Sequence, residues 1–274
     1  MNSLTITGIV NNIAVGDLQE EHGLSLSLEF RNRKYLLDTG AGTAFLPNLK
    51  KLGMDPADFD LLILSHGHYD HTGGLADFLR YNTKAPIFFG PDFTKKRYHY
   101  ELGASSRELF IPKVCLRAFE EIDSGRKREI DRFTEIEKDI FLTGPIPRRS
   151  FEDSGGPFFL DPKGTIPDLI EDEQSIVVRL GAQNILITGC CHSGLINTID
   201  YCEEQGHLIQ IVFGGFHLGS ASEDRLRKTA DYLNRKRIER IVPVHCTGEK
   251  AIGYLKEHFR GIVADFRAGN VVNC

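Results

Sequence analysis

The stretch Ile63–Gly74, ILSHGHYDHTGG, sets three histidines and an aspartate within six residues, directly after an apolar run. His66, His68, Asp70 and His71 cannot be buried together without unpaired polar atoms, each of which costs about 1–3 kcal/mol. A chain that crowds them at the end of a buried strand therefore needs something to tie them together. Imidazole nitrogen and carboxylate oxygen are donors for zinc, iron and manganese. Residues two apart on an extended segment face the same way, so His66 and His68 point together. Asp70 and His71 fall on the following turn and can face a second ion beside the first.

The remainder of the chain has to supply the other donors. Apolar runs of strand length recur at 4–9, 24–30, 34–37, 61–64, 140–142, 175–180, 184–188, 208–213, 240–244 and 261–266. Many are rich in Val, Ile and Leu, as strands buried on both faces are. Helical spacing of apolar residues appears over 43–52, 75–81, 194–205, 222–236 and 247–259. A meander followed by alternating strands and helices predicts an α/β architecture of sheets covered by helices.

Besides the opening stretch, three apolar runs end in polar residues and glycine turns. They are Leu36–Gly40 with Asp38, Ile185–Gly194 with Cys190, Cys191 and His192, and Val242–Gly248 with His245. Strands that end at one edge of a sheet bring such residues together, and ligand sites of α/β sheets form there. His217, in the stretch GGFHL, also follows a buried-looking strand. It is placed to contact substrate or donate a proton, or to serve as a satisfied structural histidine.

Bulk properties narrow the function classes. The chain has 274 residues, 41% hydrophobic and 26% charged, with net charge −5. The negative charge argues against nucleic acid held by bulk electrostatics. No apolar run approaches the roughly 18 residues of a membrane span, and the first residues lack the features of a signal peptide. The six cysteines are scattered, as free thiols in a reducing compartment are. The expectation is a cytoplasmic protein.

The segment from about 91 to 167 differs in texture. It carries mixed charge and then turn-rich text, including the pair Arg148–Arg149 and a Ser154-Gly-Gly156 turn. It is read as an insertion covering the active-site face of a single domain spanning 1–274. Arg148 and Arg149 could grip a phosphate or carboxylate, or form a surface pair. His22, His99, His207 and His258 sit in polar surroundings and are expected to be solvated.

His-x-His-x-Asp-His after an apolar strand, with Asp38 upstream and His192 and His245 downstream, resembles the metal-binding motif of the metallo-β-lactamase superfamily. The resemblance implies an αββα sandwich, two mixed sheets with outer helices, and a dinuclear site on one edge. The stretches TGPIPR, EDEQSIVV, TGCCHSG, GGFHL and PVHCTG resemble the branch that includes the archaeal synthase joining a dihydropterin to a ribofuranosyl-aminobenzene phosphate. Most members of the family carry a histidine before the strand that ends in a bridging aspartate. Here Cys190 stands where that aspartate is expected, and the preceding segment offers Glu171, Asp172 and Glu173 but no histidine. His192 is taken to replace the missing histidine, with Cys190 either a bridging ligand or a neighbour.

The expected metal ligands are thus His66, His68, Asp70, His71, His192, His245 and Cys190. They would hold two divalent ions, zinc before iron or manganese. Asp38 is expected to orient a ligand histidine rather than bind metal itself. Asp70 and His217 are the catalytic candidates, Asp70 by orienting the nucleophile. The implied activity is a metal-dependent hydrolase that uses a metal-bound hydroxide on an ester, lactone or phosphodiester bond. Its substrate would be a small molecule, anionic or phosphorylated. Two alternatives remain open: a synthase-like enzyme of pterin and ribofuranosyl-aminobenzene phosphate, or a non-catalytic metal- or ligand-binding sensor.

Overall fold

The computed structural model describes residues 3–274. Met1 and Asn2, on which the reading of the chain's start partly rests, lie outside the described residues. Two seven-stranded sheets form the body. The first runs in spatial order Val271–Asn273, Leu4–Val10, Ser25–Phe30, Arg33–Leu37, Leu61–Ile63, Ile87–Phe89 and Lys127–Glu129. Its neighbours are antiparallel as far as Arg33–Leu37 and parallel beyond it. The second runs Thr134–Glu137, Ile140–Leu142, Ile176–Leu180, Gln183–Thr188, Ile209–Gly215, Arg240–Val244 and Ile262–Val263. It repeats the plan, antiparallel as far as Gln183–Thr188 and parallel after it. Both sheets are therefore mixed.

The apolar strands are buried on both faces, which is why their sequences show no polar alternation. Leu61 and Ile63 face the second sheet, where they join Leu26, Leu37, Ile176, Ile185, Ile187 and Phe213 in one cluster. Leu62 faces outward, against Phe45, Leu75 and Phe78 of the helices Phe45–Lys51 and Leu75–Tyr81. On the other sheet Leu186 and Val212 pack outward against Leu195, Leu226 and Leu255 of the helices Leu195–Glu204, Glu223–Arg235 and Glu249–His258. Each fully buried Leu or Ile contributes about 1.5–3 kcal/mol by leaving water. The result is the four-layer αββα sandwich with outer helices that the sequence led us to expect. No helix among the described residues is long and apolar enough to cross a membrane.

Residues 91–167 divide into parts with different positions. Helix Lys113–Glu121 packs Cys115 and Phe119 into the outer layer of the first sheet. Strands Lys127–Glu129, Thr134–Glu137 and Ile140–Leu142 then extend the two main sheets. The remaining strands, Tyr98–His99, Arg107–Glu108 and Phe158–Phe159, form a separate small sheet. That sheet is tied to the histidine-rich turn by a bridge between His68 and Phe110, and Tyr69 N–H donates to Leu109 O at 2.8 Å.

Candidate metal centre

The parallel strands of both sheets point their carboxyl ends to one edge. Asp38 follows Arg33–Leu37, His66 to His71 follow Leu61–Ile63, and Cys190 to His192 follow Gln183–Thr188. His217 and His245 follow Ile209–Gly215 and Arg240–Val244. Asp38, His217 and His245 take φ of 57°, 44° and 51° there. Non-glycine residues rarely adopt such angles, and where they do they cluster at functional sites.

The histidine-rich turn is held from below. Asp38 is fully buried and accepts from Ser65 N and Ser65 Oγ, both at 2.7 Å. Its Oδ2 lies 2.6 Å from His71 Nδ1. A carboxylate only accepts, so His71 Nδ1 is the donor and its Nε2 is turned to the site. Ser65 Oγ donates to Asp38 and so accepts from His66 Nδ1 at 3.0 Å, which leaves His66 Nε2 facing inward. Gly67 N donates to Asp172 Oδ2 at 2.8 Å, and a Cβ on Gly67 would sit 1.8 Å from Phe93 O. Only glycine fits between the two histidines.

Asp172 is in turn held by Arg97, whose Nη2 is 2.5 Å from Asp172 Oδ1 and whose Nε is 2.8 Å from Asp168 Oδ2. All three side chains are buried. Glu173 accepts from His192 N at 2.5 Å and Ser193 N at 2.6 Å, which fixes the turn that presents His192. The acidic run that offered no histidine thus carries the scaffold of two site segments.

The donors converge in overlapping groups whose ligand atoms lie within 4.8 Å of one another: His66, His68 and His192; His66, His71 and Cys190; and His22, Asp70 and His245. Cys190 also groups with His245 and Cys246, and with His192 and His217, so its sulfur lies between the two halves of the cluster. His66 Nε2 and His68 Nδ1 are 3.0 Å apart, and Cys190 Sγ is 3.1 Å from His71 Nε2. His245 Nε2 and His22 Nε2 lie 3.4 Å and 3.3 Å from Asp70 Oδ2.

The outward nitrogen of each downstream histidine is fixed as well. His192 Nδ1 lies 2.8 Å from Ser154 O, and His245 Nδ1 lies 2.8 Å from Asn12 Oδ1. Their Nε2 atoms, with His68 Nε2, are buried without a hydrogen-bond partner among the described residues. Buried polar atoms rarely go unpaired, and a cation between these rings would pair them. Neutral imidazoles are the form a metal needs. Burial pushes His66, His68 and His192 well below the ordinary value, and His217 and His245 down to about 4. Burial also opposes protonation of His71, but Asp38 and Asp70 outweigh it and hold that ring at about 9. For Asp70, burial disfavours charge, yet His71, His22 and His245 keep its carboxyl well below the usual range.

The cluster opens into a cleft of about 360 Å³. His22, Tyr69, Arg107, Phe158, His217 and Ser220 are among its walls. Phe158 stacks its ring edge-on against His192 and His217, at 5.2 and 5.8 Å. One sequence expectation changes here: His207 is buried against Phe133 and Phe141 rather than solvated, because aromatic side chains from a distant segment close over it. His22 is exposed, as expected, and its ring also reaches Asp70. Arg149 pairs with Glu204 and Arg148 with Leu169 O, so neither lines the cleft. Asn12 was not singled out from sequence, and Cys246 only as a thiol placed near the chemistry by the histidine before it. Cys246 carried a signal in its place directly after His245, whereas Asn12 carried none.

Comparison with known proteins adds independent findings. The family model described as the metallo-beta-lactamase superfamily matches residues 23–245. An uncharacterized protein of Methanocaldococcus jannaschii is 32% identical over 250 residues, covering 91% of this chain and 93% of its own length. A second protein of that organism, named 7,8-dihydropterin-6-methyl-4-(beta-D-ribofuranosyl)-aminobenzene-5'-phosphate synthase, is 28% identical over 97% of this chain and 98% of its own. The crystal structure of Tm1679, described as a metal-dependent hydrolase of the beta-lactamase superfamily, superposes with a TM-score of 0.81. It shares 33% identity, and the alignment covers 98% of each chain.

Proposed function

Because the chain belongs to the metallo-β-lactamase superfamily, we propose that it is a metal-dependent hydrolase of an ester, lactone or phosphodiester bond in a small anionic substrate. The observation that carries this reading is the convergence of buried, unpartnered ring nitrogens at the strand ends, inside an open cleft. In this reading His66, His68 and His192 hold one divalent ion. Asp70, His71 and His245 hold a second, and Cys190 stands between them. Zinc suits this set of nitrogen, oxygen and sulfur donors. When bound, such an ion pair supplies Lewis acidity and a nucleophile at neutral pH.

The chain's own residues do the rest. Asp38 and Ser65 fix the rings of His71 and His66, so that the donors are set before substrate arrives. Asp70 orients the nucleophile. His217 lines the cleft, where its ring can contact substrate, while its Nδ1 is buried against Gly155. Arg107, exposed at the cleft wall, draws anionic substrates by charge, and Phe158 excludes water above the rings. The small sheet that carries Phe158 and Arg107 is the substrate-side cover of the single domain. Six free thiols support a cytoplasmic setting.

The test is a panel of esters, lactones and phosphodiesters offered to protein loaded with zinc, manganese or iron. Turnover of at least one class, lost in His66→Ala/His68→Ala, is the expected result. A metal-loaded chain inert to every class contradicts the hydrolase reading. A second reading is favoured by the likeness to the synthase over 97% of this chain. It has the same site join a dihydropterin activated by a phosphate on its methyl carbon to an aminobenzene riboside phosphate, the new bond to that carbon forming as the phosphate leaves. Product formation from that pair, without hydrolysis of the panel, would select it.

A further inference from the structure

We propose that Cys246 is a metal ligand and that, with Cys190, it makes the half of the centre around His245 a two-thiolate site. This inference rests on the metal reading above and extends it to a residue outside the family's motif. Adjacent residues on a strand face opposite ways, so Cys246 would be expected to turn away from the side His245 takes. The backbone does not continue as a strand. His245 has φ of 51° and opens a short 3-10 turn, His245–Thr247. That turn brings the ligand atoms of Cys190, His245 and Cys246 within 4.8 Å of one another.

The surroundings make room for this sulfur. A Cβ on Gly215 would sit 2.6 Å from Cys246 Sγ, so the glycine leaves the space that the thiol occupies. The backbone beyond Cys246 is pinned by Gly219 N–H, which donates to Cys246 O at 3.2 Å. Among the described residues the Sγ makes one hydrogen bond, a long one to Cys190 O at 3.5 Å. It reaches the cleft wall, so an ion can approach it, and Cys190 stands on the same wall.

Two thiols beside an imidazole change the metal preference. Thiolate is a soft donor. It favours zinc and other borderline or soft ions over magnesium and manganese, which prefer oxygen. Each thiol gives up its proton to solvent as it binds. The centre would then be uneven: a histidine-only half at His66, His68 and His192, and a sulfur-bearing half in which Cys190 and Cys246 join Asp70, His71 and His245.

Cobalt(II) reads this directly, because thiolate ligation gives a near-ultraviolet sulfur-to-cobalt charge-transfer band whose intensity follows the number of sulfurs. The cobalt-loaded full chain should show that band, reduced to roughly half in Cys246→Ser and in Cys190→Ser and absent in the double variant. If either variant folds poorly, the unmodified chain still decides. Alkylation of Cys246 by iodoacetamide, followed by peptide mass spectrometry, should be slowed at least tenfold by zinc. A chain that takes up cobalt but keeps its full band in Cys246→Ser, or in which zinc leaves Cys246 alkylation unchanged, overturns this inference and leaves the metal reading standing. A chain that takes up neither ion overturns both.

Discussion

Asp38 Oδ2 and His71 Nδ1 lie 2.6 Å apart with both side chains wholly buried, and this contact fixes which nitrogen of His71 faces the centre. Removing the carboxylate frees the ring without touching a proposed ligand. Asp38→Ala should weaken metal affinity by about 10–100-fold. Competition with a chromophoric chelator measures it. Unchanged affinity would mean that Asp38 only supports the loop.

Arg97 has a comparable task at longer range. Its guanidinium is buried between Asp168 and Asp172, and Asp172 in turn holds Gly67 N–H between the two motif histidines. Arg97→Ala leaves two buried carboxylates without their partner. It should lower the unfolding free energy by about 3–5 kcal/mol, read from urea midpoints. A loss below about 1 kcal/mol would show that the pair is replaceable by water.

Acid should destabilise the metal-free protein. Burial holds His66, His68 and His192 well below their ordinary 6.5, and His217 and His245 at about 4, whereas the unfolded chain takes up protons near 6.5. Groups depressed in this way contribute stability that is complete above about 6.5 and is lost as pH falls toward 4. His71, held at about 9, works in the opposite direction and loses its contribution as pH rises through 9. Five groups against one predict a urea midpoint that drops between about pH 7 and pH 5. A flat or rising midpoint contradicts the burial argument.

Phe158 covers the rings of His192 and His217 without donating an atom to the centre. Phe158→Ala should raise KM roughly tenfold while kcat changes little, since it removes contact area and no chemistry. Steady-state kinetics on whichever panel substrate turns over separates the two constants. A fall in kcat at constant KM would instead place Phe158 in the reacting geometry.

The buried strands were plain in the sequence because burial on both faces leaves long apolar runs, as in LLIL and ILIT. Each of the ten runs contains a strand. Ile87–Phe89 and most of the short edge strands were not seen. Lys127–Glu129 is three charged residues and joins the sheet only because Ile87–Phe89 offers it a free edge. Residues 91–167, read as an insertion of mixed charge and then turn-rich text, also supply Lys127–Glu129, Thr134–Glu137 and Ile140–Leu142 to the two sheets. Around the candidate centre, ligand-type residues were visible as types at strand ends. Their supports were not, because a pairing such as Asn12 with His245 or Glu173 with the His192 backbone depends on sequence separations that no local pattern encodes.

The central claim is that these side chains hold metal, and elemental analysis of chelator-free protein tests it most directly. The account predicts about two ions per chain, both lost in His66→Ala/His68→Ala/His245→Ala and about one retained in His192→Ala. Protein that binds no ion, even after reconstitution with zinc, iron or manganese, would contradict it.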